Sequence, residues 1–335
     1  MQNSNRCITV KARPTGIPGP EHFAEQTVPV RPPDDGEVLV ETLYISIDPA
    51  MRSWISESPG ALPNVAIGAV MRAGGIGRVI ESRVAGLAPG DLVQGRVGWQ
   101  SQPTLRGRET HKLDLAMGTP LDWMGPLGTS ALTAYFGIRD VAALRPGDTL
   151  LVSAAAGGVG QIAAQMGRIE GCRVVGIAGG TEKCGFLMNT LRLDAAIDYK
   201  AEPDLAAAIR RVCPDGVDVY FDNVGGATLD AALANLRNGA RVAMCGRISQ
   251  AAAPEPYGMR NLGLLLARRA RMQGFGVFAY HDRYGEARAW LAAQLKAGRL
   301  QQRLHVVDGL ERAPESLRML FRGENTGKLV VQVAR

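Results

Sequence analysis

Residues 150–161, Leu-Leu-Val-Ser-Ala-Ala-Ala-Gly-Gly-Val-Gly-Gln, form the first stretch whose types and spacing could do chemistry. An apolar run ends in small residues and glycines, and helix-period apolar positions then begin at Val159, Ile162, Ala163 and Met166. The pattern predicts a strand, a tight turn and a helix. Residues without bulk at Ala154, Gly157 and Gly160 let main chain approach a phosphate, and the free N–H groups of a helix start complement its charge. The spacing Ala-x-x-Gly-x-x-Gly is a variant of the glycine fingerprint for a dinucleotide pyrophosphate; the same composition also arises where a strand and a helix merely pack closely.

A second arrangement lies one strand further on. The expected strand Arg173–Ala178 runs into Gly179-Gly180 without the acid that bonds the adenine ribose hydroxyls in an NAD site. Thr181 can cap the next helix, and Lys183 falls in its first turn, where a cation is unfavourable unless an anion is near. A 2′-phosphate would be that anion, which points to NADP(H); the alternative is a solvated lysine offset by Glu182. Small or polar residues also follow three later strands, as Asn223-Val224-Gly225-Gly226, Gly246-Arg247-Ile248-Ser249 and Phe275-Gly276-Val277. In a doubly wound sheet these ends face the ligand.

Other chemistries find no foothold. His22, His111, His281 and His305 are far apart in sequence and far from the cysteines, and no Cys-x-x-Cys occurs, so no zinc site is expected. No Gly-x-Ser-x-Gly elbow is present for a serine hydrolase.

The elements around these residues fall into two textures. From Ile8 to Trp99 short strands alternate with turns, among them Glu37–Ile47 and Gly74–Ser82, and Pro89-Gly90-Asp91 and Pro146-Gly147-Asp148 are turn signals. From about Leu127 helices and strands alternate. Helices are expected over Thr129–Val141, Leu205–Val212, Ala227–Leu236 and Tyr284–Ala297, and strands after the fingerprint over Arg173–Ala178, Ala195–Asp198, Val217–Asp222, Arg241–Cys245 and Met272–Val277. The tail from Leu304 returns to strand and turn texture. The expectation is an α/β protein: a doubly wound parallel (Rossmann) sheet over 127–300, inserted in a β-rich barrel domain made of 1–126 and 301–335, with the active site in the cleft between them.

Composition sets the outer bounds. A chain of 335 residues that is 46% hydrophobic can bury two cores, and a charged fraction of 21% argues against disorder. The net charge of +6 is scattered, and its densest group, Arg268-Arg269-Ala270-Arg271, lacks interleaved aromatics, so no nucleic-acid surface is expected. Five separate cysteines (Cys7, Cys172, Cys184, Cys213, Cys245) argue against a disulfide framework. The start Met1–Arg6 has no apolar signal core, and the run Leu262–Ala267 is too short to span a bilayer, so a cytoplasmic protein without a membrane partner is expected.

The motifs Ser153–Gly160, Gly171–Cys184, Asp198-Tyr199-Lys200, Tyr220–Gly226, Cys245–Ser249 and Asn325–Lys328, with Arg13-Pro14-x-Gly16 and Ser46–Arg52 before them, resemble the zinc-independent medium-chain reductases. More narrowly they resemble the NADPH-dependent alkenal, prostaglandin (leukotriene B4 dehydrogenase-like) and curcumin double-bond reductases, over nearly the whole chain. The resemblance implies a GroES-like β-rich domain and a homodimer formed through the cofactor domains. It implies that Gly157, Gly158, Val159, Gly160 and Gln161 hold the pyrophosphate, and that Gly180, Lys183 and Tyr199 surround the 2′-phosphate. Asn223, Cys245, Gly246, Ile248, Ser249, Phe275, Gly276, Val277 and Asn325 would line the rest of NADP(H).

Three departures from the family pattern bear on the substrate. Ala251 stands where a tyrosine thought to bond the substrate carbonyl is usual, Ala50 replaces the tyrosine between Pro49 and Met51, and Leu127–Leu132 replaces a Gly-Met-Pro-Gly-like run. A wider, less polar pocket is expected; a surface or packing role is the leading reading of Tyr257, and that of a substitute for the missing tyrosine is the alternative. The reaction expected from the resemblance is reduction of the C=C bond of an enone or enal, with hydride to the β carbon and a proton to the α carbon. Quinone reduction is the rival on the same scaffold, and a non-catalytic NADPH-binding sensor or structural protein is the rival of another class.

Overall fold

The computed structural model describes residues 4–57, 62–253 and 255–334, so Met1–Asn3 of the amino-terminal reading lie outside the described residues. The chain divides into two units, one of Met1–Met124, Leu304–Asn325 and Leu329–Arg335, the other of Gly125–Arg303 and Thr326–Lys328.

The second unit carries the parallel sheet. Its strands are β1 (Thr149–Ser153), β2 (Arg173–Ala178), β3 (Ala195–Asp198), β4 (Val217–Asp222), β5 (Leu236–Met244) and β6 (Arg271–Gly274). They lie in the spatial order 3-2-1-4-5-6, all parallel. That is the doubly wound order, with its reversal between β1 and β4. Every residue of β1 is buried, as expected of a central parallel strand covered on both faces. Leu151, Val175, Tyr220 and Val242 of the sheet pack with Ala208, Ile209, Leu229 and Leu233 of the helices.

The helices that matter below are α1 (Thr129–Phe136), α2 (Gly160–Ile169), α3 (Thr181–Gly185), α4 (Leu205–Val212), α5 (Gly226–Leu233) and α6 (Tyr284–Lys296). The α5 helix stops at Leu233, and Leu236, expected to be helical, opens a strand instead. The reason is Asn235, whose Nδ2 donates to the carbonyls of Ala231 (2.9 Å) and Ala206 (3.0 Å) and closes the helix end. The sixth strand ends at Gly274, so Phe275–Val277 follow the strand and do not belong to it.

The first unit is β-rich. A seven-stranded sheet includes the long strand Glu37–Ser46 paired antiparallel with Gly75–Ser82, and Ser4–Val10 pairs with Phe23–Pro29 in a separate ribbon. Val10, Val38, Ile45, Met51, Trp99 and Val331 sit in its core. The carboxyl-terminal tail departs from the expected strand texture, because Ala313–Arg322 is a helix with Pro314 in its first turn and Gly323 in a left-handed cap (φ 65°). Its apolar Leu317, Leu320 and Phe321 recur at helical spacing and pack on the β core, a period masked by four charged residues in the stretch 311–318.

Two of the amino-terminal motifs meet here. Arg52 is buried, and its guanidinium donates to the carbonyls of Gly16 (2.9 Å) and Pro14 (2.8 Å). Burial pulls its pKa down, so the two charge-assisted bonds must offset desolvation. Arg13–Gly16 and Ser46–Arg52 therefore form one structural clamp. Replacing the fork by Arg52→Met is expected to lower unfolding stability by about 2–4 kcal/mol, seen as a lower denaturant midpoint at unchanged slope. Arg52→Lys should recover less than half of the loss, because one ammonium cannot present the planar fork that meets both carbonyls.

Candidate active site

The fingerprint turn joins β1 to α2. Ala154 holds a left-handed φ of 46°, rare for a residue with a side chain, and its carbonyl accepts from the Gly157 amide (2.9 Å). A Cβ on Gly160 would lie 2.3 Å from that same carbonyl oxygen, so only glycine fits. The amides of Gly158, Val159 and Gly160 have no acceptor among the described residues. Three consecutive donors at the start of a ten-residue helix are what an anion requires.

Two other segments brace the turn. The Gly327 amide donates to the Ala156 carbonyl (3.1 Å), and Gln302 Nε2 donates to the Gly158 carbonyl (2.6 Å). Gln161 is fully buried: its Nε2 donates to the Arg303 carbonyl (3.1 Å), its Oε1 accepts from the Arg303 amide (2.9 Å), and its own amide donates to Gly157 (3.1 Å). The expected pyrophosphate contact of Gln161 is thereby corrected to a bracing one. Its polarity looked like a ligand's in sequence, while its partner lies 142 residues away.

At the end of β2 the chain is arranged around Asp198 of β3. Its Oδ1 accepts from the amides of Gly180 (2.8 Å) and Lys200 (3.0 Å). Asp198 is thus committed to main chain, and the Gly180 amide is spent on it. Lys183 is half-buried on α3, and its pKa is pulled down by burial and then by Lys200; Glu182, bonded to Arg303 (3.3 Å), opposes them with a smaller effect. The exposed ring of Tyr199 lies against Gly179, with Lys200 beside it. Two ammonium groups that repel one another beside a glycine pair fit an anion between them. Lys200 went unassigned in the sequence reading, although it is next to Tyr199 at the end of a strand.

The ends of β4 and β5 are stitched together. The Ile248 and Ser249 amides donate to the carbonyls of Asn223 (3.4 Å) and Val224 (3.1 Å), and Ser249 Oγ also donates to Val224 (2.7 Å). Burial pushes the Cys245 thiol up to about 12, so it stays protonated and unreactive. Phe275 packs edge-on against Phe221 (6.4 Å between centroids) and is half-buried, whereas Val277 is buried. Asn325 is buried in the first unit.

Tyr257 stands apart from this chemistry. Its hydroxyl donates to Asp230 Oδ2 (3.2 Å) and its amide to Gln250 Oε1 (2.7 Å), and Asp230 Oδ1 also takes the Arg260 (3.0 Å) and Asn261 (2.8 Å) amides. These bonds tie a loop to α5. Ala251 ends a short helical turn, Ile248–Ala251, and Ala50 precedes another, Met51–Trp54.

A glycine-turned parallel sheet in a chain that also holds a β-rich unit is the composition of a dinucleotide-dependent oxidoreductase. The family models agree: residues 6–113 match the N-terminal domain of oxidoreductases, and 158–293 match the zinc-binding dehydrogenases. Among the described residues no cluster of three His, Cys, Asp or Glu could hold a metal ion, so the donor set does not fit the zinc of the second description. The chain is 39% identical to the NADPH-dependent curcumin reductase of Escherichia coli over 100% of its own length and 98% of that protein's. It is 38% identical to the 2-alkenal reductase (NADP(+)-dependent) of Nicotiana tabacum, covering 99% of this chain and 98% of that one. The structure of Vibrio vulnificus CurA in complex with NADPH superposes with a TM-score of 0.94 at 39% identity, over 98% of this chain and 99% of that one. The chain belongs to the zinc-independent medium-chain dehydrogenase/reductase family, in the branch that holds the curcumin, 2-alkenal and prostaglandin reductases.

The closeness of Gly160 to Ala154 makes a direct test of the turn. Gly160→Ala is expected to destabilise the protein by about 1–3 kcal/mol, measured by denaturant unfolding, whereas a Cβ on Gly180 meets nothing and Gly180→Ala should cost only its φ strain, about 1–2 kcal/mol.

Proposed function

We propose that the chain is an NADPH-dependent reductase that saturates the C=C bond of α,β-unsaturated ketones and aldehydes. The observation that carries this reading is the pairing of an anion-ready fingerprint turn with Lys183 and Lys200 at the end of β2, in a chain 39% identical over its full length to an NADPH-dependent curcumin reductase. The amides of Gly158, Val159 and Gly160 would hold the pyrophosphate. Lys183 and Lys200 would hold the 2′-phosphate, with Tyr199 beside them. The turns Asn223–Gly226 and Cys245–Ser249, the main chain of Phe275–Val277 and Asn325 would bound the nicotinamide end.

Bound NADPH supplies the hydride. The protein's part is to orient the substrate's β carbon, to stabilise negative charge on the carbonyl oxygen, and to admit a proton to the α carbon. With alanine at 50 and 251 and the Tyr257 hydroxyl bonded to Asp230, neither the two family tyrosines nor Tyr257 serves as that acid. This favours activated enones, whose enolates form without strong acid assistance. We place the protein in the cytoplasm, in keeping with five unpaired cysteines. It acts as a homodimer: β6 is an edge strand, and Leu266 and Phe278, 86% and 63% exposed, flank it in sequence. No helix among the described residues is long and apolar enough to cross a membrane.

Purified protein should consume NADPH with a panel of enals, enones and curcumin and yield the product saturated at C=C. No consumption across the panel overturns the assignment, and a hydroquinone formed in place of any saturated ketone moves it to quinone reduction. Lys183→Ala should lower the NADPH-over-NADH preference about 10-fold or more; an unchanged ratio sinks the phosphate assignment. Because Lys183 titrates below the ordinary lysine range of about 10.4, the charged form that binds phosphate is lost earlier as pH rises. NADPH affinity should therefore weaken from a lower pH than an ordinary lysine would give, and Lys183→Arg should remove that alkaline loss.

A further inference from the structure

We infer that Asp222, which reaches no cofactor surface itself, is a positioning residue that fixes the Asn223–Gly226 turn in the shape that receives NADPH. The inference rests on the cofactor reading above. Asp222 ends β4 and is fully buried. Its Oδ1 takes four donors: Tyr220 Oη (2.7 Å), Ser153 Oγ (3.2 Å) and the amides of Val224 (3.0 Å) and Gly225 (3.0 Å). Its main-chain carbonyl accepts from Cys245 (2.8 Å) and Gly246 (3.0 Å). Ser153 ends β1, so this one residue joins the ends of β1, β4 and β5 across the point where the strand order reverses.

The consequence falls on Asn223. Its amide donates to Ser153 Oγ (2.9 Å) and its Nδ2 to the Ser153 carbonyl (2.7 Å). One N–H of the side chain is thereby used, which fixes the amide's orientation and leaves Oδ1, with no donor among the described residues, to accept from a ligand hydroxyl or amide. Two residues on, Gly225 and Gly226 are both left-handed (φ 70° and 55°), a conformation two glycines would leave freely without the bonds to Asp222. A buried carboxylate with no cationic partner is a poor stabiliser. Its Oδ2 has no hydrogen bond at all. Stability alone would be served better by an apolar side chain, whereas fixing two main-chain amides and two hydroxyls on one oxygen requires an acceptor of this kind.

The test uses the full-length protein, with NADPH itself as the probe and cofactor fluorescence as the readout. Asp222→Ala should raise the NADPH Kd about 10- to 100-fold, while kcat at saturating NADPH with a reactive enone falls less than about threefold. A purely structural role would lower the melting temperature and the active fraction but leave the Kd of the folded protein where it was. Asp222→Asn keeps the accepting oxygen and should recover most of the lost affinity. A folded Asp222→Ala protein that binds within about twofold of wild type overturns the proposal, as does an Asp222→Asn protein no better than Asp222→Ala. Should Asp222→Ala fail to fold, Ser153→Ala carries the same test: a Kd raised several-fold supports the role, and one within about twofold overturns it. Wild-type protein that binds no NADPH overturns the cofactor reading, which is a separate result.

Discussion

The structure turns on a single place, the reversal of strand order between β1 and β4, where Ser153 meets Asp222. A doubly wound sheet opens a crevice at its reversal because the flanking helices diverge to opposite faces. The opening has to be lined by main chain with unsatisfied donors, and those loops would collapse or wander if nothing held them. In this protein a serine and an aspartate, both fully buried, do the holding from beneath. Burial raises the pKa of Asp222 despite four hydrogen bonds that act to lower it, so desolvation is the larger effect. Its stabilising contribution is therefore complete below the unfolded pKa and is lost as pH rises through the raised folded value, which makes its ionisation a cost at neutral pH. A group kept at such a cost is kept for geometry.

The same division, main chain facing outward and side chains bracing from within, explains what could be read in the sequence. The fingerprint turn was legible because it depends on the absence of side chains, and glycine spacing records absence directly. Lys183 stood out in the sequence because a cation in a first turn is locally unfavourable, and the phosphate role proposed for it rests on that. The central strands β1 and β2 were legible as apolar runs buried on both faces, whereas the edge strand β6, Arg-Met-Gln-Gly, is mostly exposed. Gln161 was misread because its two partners are the amide and carbonyl of Arg303, a contact no local pattern encodes. Val277 follows a strand end as ligand-facing residues do, yet it is buried. Asp222 and Ser153 were quoted within motifs without a role, since 69 residues separate them and each alone is an ordinary strand terminus.

The β-rich unit follows a parallel logic with a different device. Arg52 reaches across to two carbonyls of a loop 36 and 38 residues earlier, so two motifs that look independent are one contact. Such a motif invites a catalytic reading because it contains an arginine and an acid, Asp48, close together. The geometry instead spends the guanidinium on main chain, as Asp198 is spent beside β2 and Asp230 beneath Tyr257. In each case a charged or polar side chain saturates peptide groups that cannot pair within a sheet or helix, which is the commonest use of a buried polar residue.

That pattern leaves an asymmetry between the two ends of the proposed cofactor. At the phosphate end, binding groups are plentiful and rigidly set: three free amides, two lysines and a turn braced by Gln161 and Gln302. At the proposed reactive end, alanine at 251 would contribute no functional group, Cys245 is held protonated, and Tyr257 is already bonded. Binding energy drawn from the phosphates can be spent on orienting the nicotinamide without any help from the substrate. An enzyme arranged this way depends on hydride geometry more than on acid catalysis, and it discriminates among substrates by their intrinsic electrophilicity and by how they fill an apolar space.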